Sequence, residues 1–165
     1  MYGCIRLLIR FRTVSEIKLF NDAFGLNTIA LRYFNVFGER QDPSSQYSAA
    51  IPKFVTAYLE GGVPLIHGDG EQTRDFTYVQ NVVDANLKAC LADSAAFGKA
   101  INVGCGDQIS INRLAQGIGK SLGSDLLPEH GPVRAGDVRD SLADIERLKT
   151  LLRVGELVSL DQGLE

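Results

Sequence analysis

The stretch Leu31-Arg-Tyr-Phe-Asn-Val-Phe-Gly-Glu-Arg-Gln-Asp-Pro43 decides how the rest of the chain is read. Residues 27–31 (NTIAL) are β-branched and apolar with turn formers on either side, a pattern that predicts a short buried strand. The chain leaves that strand through Arg32, Tyr33, Phe34 and Asn35: a cation, two aromatics and an amide in succession. In an open α/β sheet, ligands lie in the crevice beyond the carboxyl ends of the strands. A polar and aromatic exit from an apolar strand suits such a crevice. It suits equally well two core aromatics with Arg32 and Asn35 bonding within a loop, so this stretch alone leaves both readings open.

Working outward, Ile17, Phe20 and Phe24 fall at helical spacing, and Gly25 stops that helix before the strand. On the other side, residues 43–47 read as loop. Ile51, Phe54, Val55, Tyr58 and Leu59 then mark an amphipathic helix with Pro52 in its first turn and Gly61-Gly62 at its end. Residues 63–66 form a short strand closed by the turn His67-Gly-Asp-Gly70. Residues 73–79 alternate as a second strand and run into a helix over about 79–91, buried through Val82, Val83, Leu87 and Cys90. Another strand follows at 100–103. Ser110 N-caps a helix carrying Ile111, Leu114, Ile118 and Leu122. Residues 131–140 are irregular and charged, and a last helix runs through Ile145, Leu148, Leu151 and Leu152. There are no repeats and no low-complexity linker, so one compact α/β unit is expected.

A chain of 165 residues suits one domain with a real core. Its 45% hydrophobic and 22% charged residues and net charge of -3 are those of an ordinary soluble protein. No apolar run reaches membrane-spanning length, and residues 4–11 are interrupted by Arg6 and Arg10, unlike a signal peptide. Mild acidity without a Lys/Arg run argues against a nucleic-acid surface, so an anionic ligand must be held by local arginines. Cys4, Cys90 and Cys105 are far apart, and with only His67 and His130 no metal ligand set is spaced for zinc. Cys90, on a helical apolar face, is expected in the core. A reducing, cytoplasmic setting follows as the default.

Three stretches carry candidate chemistry. Gly104-Cys-Gly106 lies between a strand and a helix, but Ile109 stands where a dinucleotide fingerprint needs its third glycine, and no second strand follows; a tight turn is expected. Gly68-Asp-Gly-Glu-Gln-Thr-Arg-Asp-Phe76 offers a close-approach loop and an arginine fork for phosphate oxygens, or a turn with Arg74 paired to a carboxylate such as Asp75. Arg134-Ala-Gly-Asp-Val-Arg-Asp-Ser141 offers a second anion clamp, or a solvated loop with weak internal ion pairs. No serine or cysteine pairs with a histidine as a nucleophile would require.

Taken in order, LRYFNVFGERQDP, AAIPKF, GDGEQTRDFTYV, NVGCG and RAGDVRDSLAD closely resemble the C-terminal half of the NAD-dependent epimerase/dehydratase family of extended short-chain dehydrogenases/reductases. Within it the likeness is nearest to the UDP-glucose and UDP-N-acetylglucosamine 4-epimerases, with nucleotide-sugar dehydratases and decarboxylases, or a non-catalytic sugar-nucleotide-binding module, as alternatives. The resemblance implies an α/β fold, the substrate-binding half of a Rossmann-type enzyme with a short sheet and flanking helices. Residues 26–165 would be the sugar-nucleotide portion and residues 1–25 a remnant of the helix preceding the sheet. It implies NAD as cofactor, with Tyr33 and Phe34 on the cofactor side and Phe34 by the nicotinamide. Asn35 would bond the sugar nucleotide near its diphosphate. Gln41, Tyr47, Ala49 and Ala50 would line the nucleotide pocket. Arg74 and Arg134 would grip the diphosphate and Asp137 the ribose. Ser141 matches a gate position, where a small residue leaves room for a 2-acetamido group.

The family mechanism, hydride removal at C4 and return to the other face, is implied with the fold. Two departures qualify it. Family members are about twice this length and begin with a glycine-rich Rossmann half, which is not expected in this chain. Their Tyr-x-x-x-Lys pair, in which lysine lowers a tyrosine pKa from about 10, has Arg12 and Glu16 as its nearest counterpart here. The chain is therefore expected to hold a UDP-sugar without performing the chemistry alone. Its expected partners are the UDP-sugar and either a complementary N-terminal Rossmann chain or a second copy of itself.

Overall fold

The computed structural model describes residues 13–42 and 50–165. Helix α1 (Thr13–Phe24) ends at Gly25, whose φ of 62° is the left-handed conformation that lets the chain turn into strand β1 (Ile29–Tyr33). Next come β2 (Val36–Phe37), α2 (Ala50–Leu59), β3 (Leu65–His67), β4 (Thr73–Arg74), β5 (Thr77–Tyr78) and α3 (Val79–Cys90). Strand β6 (Lys99–Val103), β7 (Ile109–Ser110), α4 (Ile111–Ser121), β8 (Glu129–Gly131), α5 (Glu146–Leu151) and α6 (Leu160–Gly163) complete the described chain.

The strands pair two by two: β1 with β6, β2 with β5 and β3 with β8 in parallel, and β4 with β7 antiparallel. Parallel pairs need both faces covered, and the residue pattern of β1 supplies this. Ile29, Leu31 and Tyr33 pack with Ile101, Val103, Ala85, Leu148 and Leu152 in one core, while Ala30 is buried on the opposite face. Full burial of Ile101, Val103 and Leu148 stabilises by about 1.5–3 kcal/mol per side chain. A second core joins Ile51, Phe54 and Tyr58 of α2 to Leu114, Ala115 and Ile118 of α4, with Phe37, Ile66, Phe76 and Ile109 between them. Here Ser110 acts as the predicted cap, its hydroxyl accepting from the Arg113 N–H at 3.2 Å.

Several expectations are corrected. The first strand lies two residues later than the apolar run suggested, because the hydrogen-bonded register with β6 extends through Arg32 and Tyr33. The single strand expected over 73–79 is two short ones, β4 and β5. The chain changes partner between them, and Asp75 and Phe76 turn inward at the break. Helix α3 buries Ala85 and Asn81 and packs Val82 and Ala89 against the β1/β6 core. Val83 (43% exposed), Leu87 (58% exposed) and Cys90, expected inside, face outward instead. Asn81 takes the inward position because its amide donates to the Val158 carbonyl at 2.8 Å and accepts from the Val158 N–H at 2.9 Å. That bond fixes the approach to α6, a helix the sequence pattern did not announce, closed by a capping box between Ser159 and Gln162.

Candidate functional site

A cleft of about 460 Å³ opens between α2, β3 and the residues around β4. On one wall stand Ala50, Lys53, Phe54 and Ala57, spaced to share a face of α2; on the other run Pro64, Leu65, Ile66 and His67. Asn35, Gln72, Arg74 and Phe76 also line it, and Arg134 and Asp137 reach it from the loop after β8. Thus Asn35, Ala50, Arg74, Arg134 and Asp137, five of the residues singled out in the sequence, line one cavity.

The placement of each follows from local bonds. Asn35 stands at the exit of β1, where its Nδ2 donates to the Asp75 carbonyl at 2.9 Å and its own carbonyl accepts from the Thr77 N–H at 3.2 Å. Arg74 is partly buried and donates through Nη1 to the Thr73 carbonyl at 2.7 Å, while Nη2 forms an ion pair with Asp137. The alternative partner considered for Arg74, Asp75, is engaged elsewhere. Arg139 of the loop after β8 pairs with Asp69 of the turn after β3 at 2.7 Å, which holds the Asp69 carboxyl below its usual range. Both of these side chains are well exposed, so the pair positions the loop more than it stabilises the fold. The loop is also held by His130, whose Nδ1 meets the Gly68 carbonyl at 2.9 Å, and by His67, whose Nδ1 meets the Pro132 carbonyl at 3.3 Å.

Behind the cleft lies Asp75, fully buried. Its carboxylate accepts from the N–H groups of Cys105 at 2.8 Å, Gly106 at 2.9 Å and Ala143 at 3.2 Å. Burial pushes its pKa up against those three donors, with the Asp107 charge adding to the rise. This bonding explains the glycines of the GCG turn. A Cβ at Gly104 would lie 2.4 Å from the Ala143 Cβ and 2.9 Å from the Asp75 Oδ2. The tight turn expected from the sequence is a socket for a carboxylate of the same chain, a role the sequence did not announce. Burial, and then the Asp75 charge, push the Cys105 thiol up as well.

Other residues singled out in the sequence lie apart from the cleft. Gln41 donates through Nε2 to the Val36 carbonyl at 3.2 Å, and its buried Oε1 has no partner among the described residues. Ser141 donates its N–H to the Thr73 carbonyl at 3.2 Å, tying the loop to β4, without lining the cleft. Tyr33 turns its hydroxyl to Asn86 Oδ1 at 3.0 Å and packs on the β1/β6 core, while Phe34 follows at the carboxyl end of β1. Tyr47 and Ala49 lie outside the described residues. Lys53, His67 and Gln72 line the cleft without having been singled out. For Lys53 a signal existed, its three-residue spacing from Ala50 on one helix.

The sequence profile of the NAD dependent epimerase/dehydratase family matches residues 13–104, more than half of the chain. The chain belongs to the NAD-dependent epimerase/dehydratase family. Solved structures of this family superpose on it closely. The UDP-N-acetylglucosamine 4-epimerase from Methanobrevibacter ruminantium M1, in complex with UDP-N-acetylmuramic acid, is 41% identical with a TM-score of 0.82, over 90% of this chain and 48% of that one. The UDP-glucose 4-epimerase from Thermotoga maritima, with UDP-glucose, is 36% identical with a TM-score of 0.86, over 93% of this chain and 48% of that one. A UDP-N-acetyl-alpha-D-glucosaminuronate decarboxylase from Bacillus cytotoxicus is 35% identical over 86% of this chain and 45% of its own length. The chain therefore spans about half the length of the relatives it matches. It has their mixed α/β, Rossmann-like architecture.

Membership of an NAD-dependent family raises the question of where a dinucleotide would sit. Among the described residues, the glycine-rich turn between β6 and α4 has its Cys105 and Gly106 N–H groups bonded to Asp75, and the Tyr33 hydroxyl is bonded to Asn86. The described residues thus do not by themselves fit NAD. Nor do they contain a group of histidine, cysteine and carboxylate side chains able to hold a metal ion, or a helix long and apolar enough to cross a membrane.

Proposed function

We propose that this chain forms the sugar-nucleotide-binding part of a UDP-sugar 4-epimerase. The observation that carries the reading is the convergence of Asn35, Arg74 and Arg134 on one cleft, although they come from three separate segments of the sequence. Two guanidinium groups facing one cavity suit a diphosphate, since charge-assisted bonds to phosphate oxygens are among the strongest polar contacts. Asn35 bonds the same group from the strand end, Ala50 leaves room at the start of α2, and Asp137 accepts from the ribose hydroxyls while orienting Arg74. The family resemblance would add Gln41, Tyr47 and Ala49 to the nucleotide pocket and set Tyr33 and Phe34 on the cofactor side.

UDP-N-acetylglucosamine and UDP-N-acetylgalactosamine are proposed as the preferred sugars, with UDP-glucose and UDP-galactose accepted, on the family resemblance alone: it makes Ser141 a small gate residue, whereas the described residues set Ser141 outside the cleft lining. Alone the chain binds without turning over. Arg12 and Glu16 cannot replace a tyrosine phenolate and its lysine, and NAD requires a dinucleotide loop from a complementary chain or segment.

The test is calorimetric titration of the chain with UDP-N-acetylglucosamine, UDP-glucose and UDP, followed by assay for epimerised product with NAD present. Binding to the parent, weakened roughly tenfold or more in Arg134→Met, supports the reading; no binding of any of the three ligands to a folded chain refutes it. The likeness to the decarboxylase supports a second reading, a nucleotide-sugar decarboxylase or dehydratase of the same family. Tighter binding of a UDP-hexuronate than of UDP-N-acetylglucosamine favours that alternative. A non-catalytic sugar-nucleotide-binding module is the outcome if a complementary Rossmann chain restores no turnover.

A further inference from the structure

The charges facing the cleft do not balance, and the imbalance singles out a residue to which no role has been given. Four formally charged side chains among the described residues line the cavity: Lys53, Arg74, Arg134 and Asp137. Asp137 forms its ion pair with Arg74, whose guanidinium also donates to the Thr73 carbonyl. Arg134 and Lys53 have no hydrogen-bond or ion-pair partner for their side chains among the described residues. Two residues whose positive charges have no partner among the described residues therefore line one cavity.

Lys53 is also electrostatically out of place as a residue serving only its helix. It lies in the first turn of α2, where the exposed backbone N–H groups already carry partial positive charge, and α2 has no acidic residue in that turn to offset it. A lysine is normally favoured at the opposite end. The side chain is exposed and does not belong to the α2/α4 core, so packing does not demand it. An anion in the cleft would relieve the repulsion from the helix end and answer the free ammonium at the same time.

We propose that Lys53 is a third cationic contact for the diphosphate, acting from α2 on the cleft that Arg74 and Arg134 also line. A diphosphate diester brings one negative charge on each phosphate. The cleft presents a net charge matching that pair when Lys53 is included and falls one short without it. Arg74, held by Asp137, gives geometry; Arg134 and Lys53 give the uncompensated charge. The proposal rests on the sugar-nucleotide reading above and adds a specificity-determining residue to it.

Titration of the whole chain and of Lys53→Met, Lys53→Gln and Lys53→Arg with UDP, UMP and uridine tests it, at two salt concentrations. The expected result is UDP binding about fivefold to tenfold weaker in Lys53→Met, retained in Lys53→Arg, with uridine binding unchanged. The salt dependence of UDP binding should be shallower in the methionine variant. Lys53→Gln keeps the test open should methionine disturb α2. UDP binding equal in parent and both neutral variants overturns the assignment to Lys53 while leaving the cleft reading intact. An equal loss for uridine and UDP overturns the diphosphate contact in favour of one to the base. A folded parent that binds none of the three overturns both the assignment and the reading on which it rests.

Discussion

Replacing Asp75 by alanine removes one buried carboxylate from three backbone N–H groups that belong to two different loops. Cys105 and Gly106 lie in the turn after β6, and Ala143 follows the charged loop that carries Arg134 and Asp137. Each N–H left buried without an acceptor costs about 1–3 kcal/mol. Part of this is offset, because the carboxylate itself is strained by burial, as its raised pKa records, and the truncated side chain leaves room for water. The net expectation is destabilisation of about 3–5 kcal/mol, a large share of the roughly 5–15 kcal/mol that holds a domain together. Urea unfolding followed by far-UV circular dichroism reads it, with a fall in melting temperature of roughly 6–20 °C as the thermal counterpart. Asp75→Asn is the companion variant, since its carbonyl oxygen can still accept while its amide NH2 faces the remaining donors. It should lie between parent and alanine. An alanine variant within 1 kcal/mol of the parent, at unchanged denaturant slope, would refute the view that this carboxylate joins the two loops.

Further outcomes follow from the same geometry. The Asp75 carboxyl should titrate above the ordinary aspartate value of 3.8, followed by carboxyl carbon NMR. Because the folded chain then holds this proton more tightly than the unfolded chain, the group favours folding most below the unfolded value, and that contribution is lost as pH rises through the raised folded value. A midpoint at or below 3.8 contradicts this. Gly104→Ala should destabilise by about 1–3 kcal/mol, since the new methyl meets Ala143 and the Asp75 carboxylate inside contact distance; an unchanged unfolding midpoint counts against the socket. Leu87→Gln, at a position 58% exposed, should shift stability by no more than about 0.5 kcal/mol, and a loss above 2 kcal/mol would mean that α3 buries this residue after all.

Much of the fold was legible because its signals are local. Gly25 ends a helix, Ser110 caps one, and the apolar spacing of Ile51, Phe54, Val55 and Tyr58 marks a third, whatever the rest of the chain does. The break between β4 and β5 was not legible. A strand that alternates well on paper stops when the chain changes partner at Asp75, and partner choice is set by residues far away in sequence. The outward turn of Val83, Leu87 and Cys90 was hidden for a related reason. Periodicity shows that α3 has an apolar side, but the bond between Asn81 and Val158 decides which residues meet the core.

The candidate site divides in the same way. The order of the motifs LRYFN, GDGEQTRDF and RAGDVRDS was enough to indicate a family and a kind of ligand, because residue type and short spacing carry that information. The resemblance also led to the expectation that Asn35, Arg74 and Arg134 share one site. What the residues alone could not contain is the shape of the cleft they line, the pairing of Arg74 with Asp137 rather than Asp75, and the setting of Ser141 outside the cleft lining. Those depend on the parallel register of β1 with β6 and on a buried carboxylate that joins two loops. Such contacts exist only once distant segments are packed against each other.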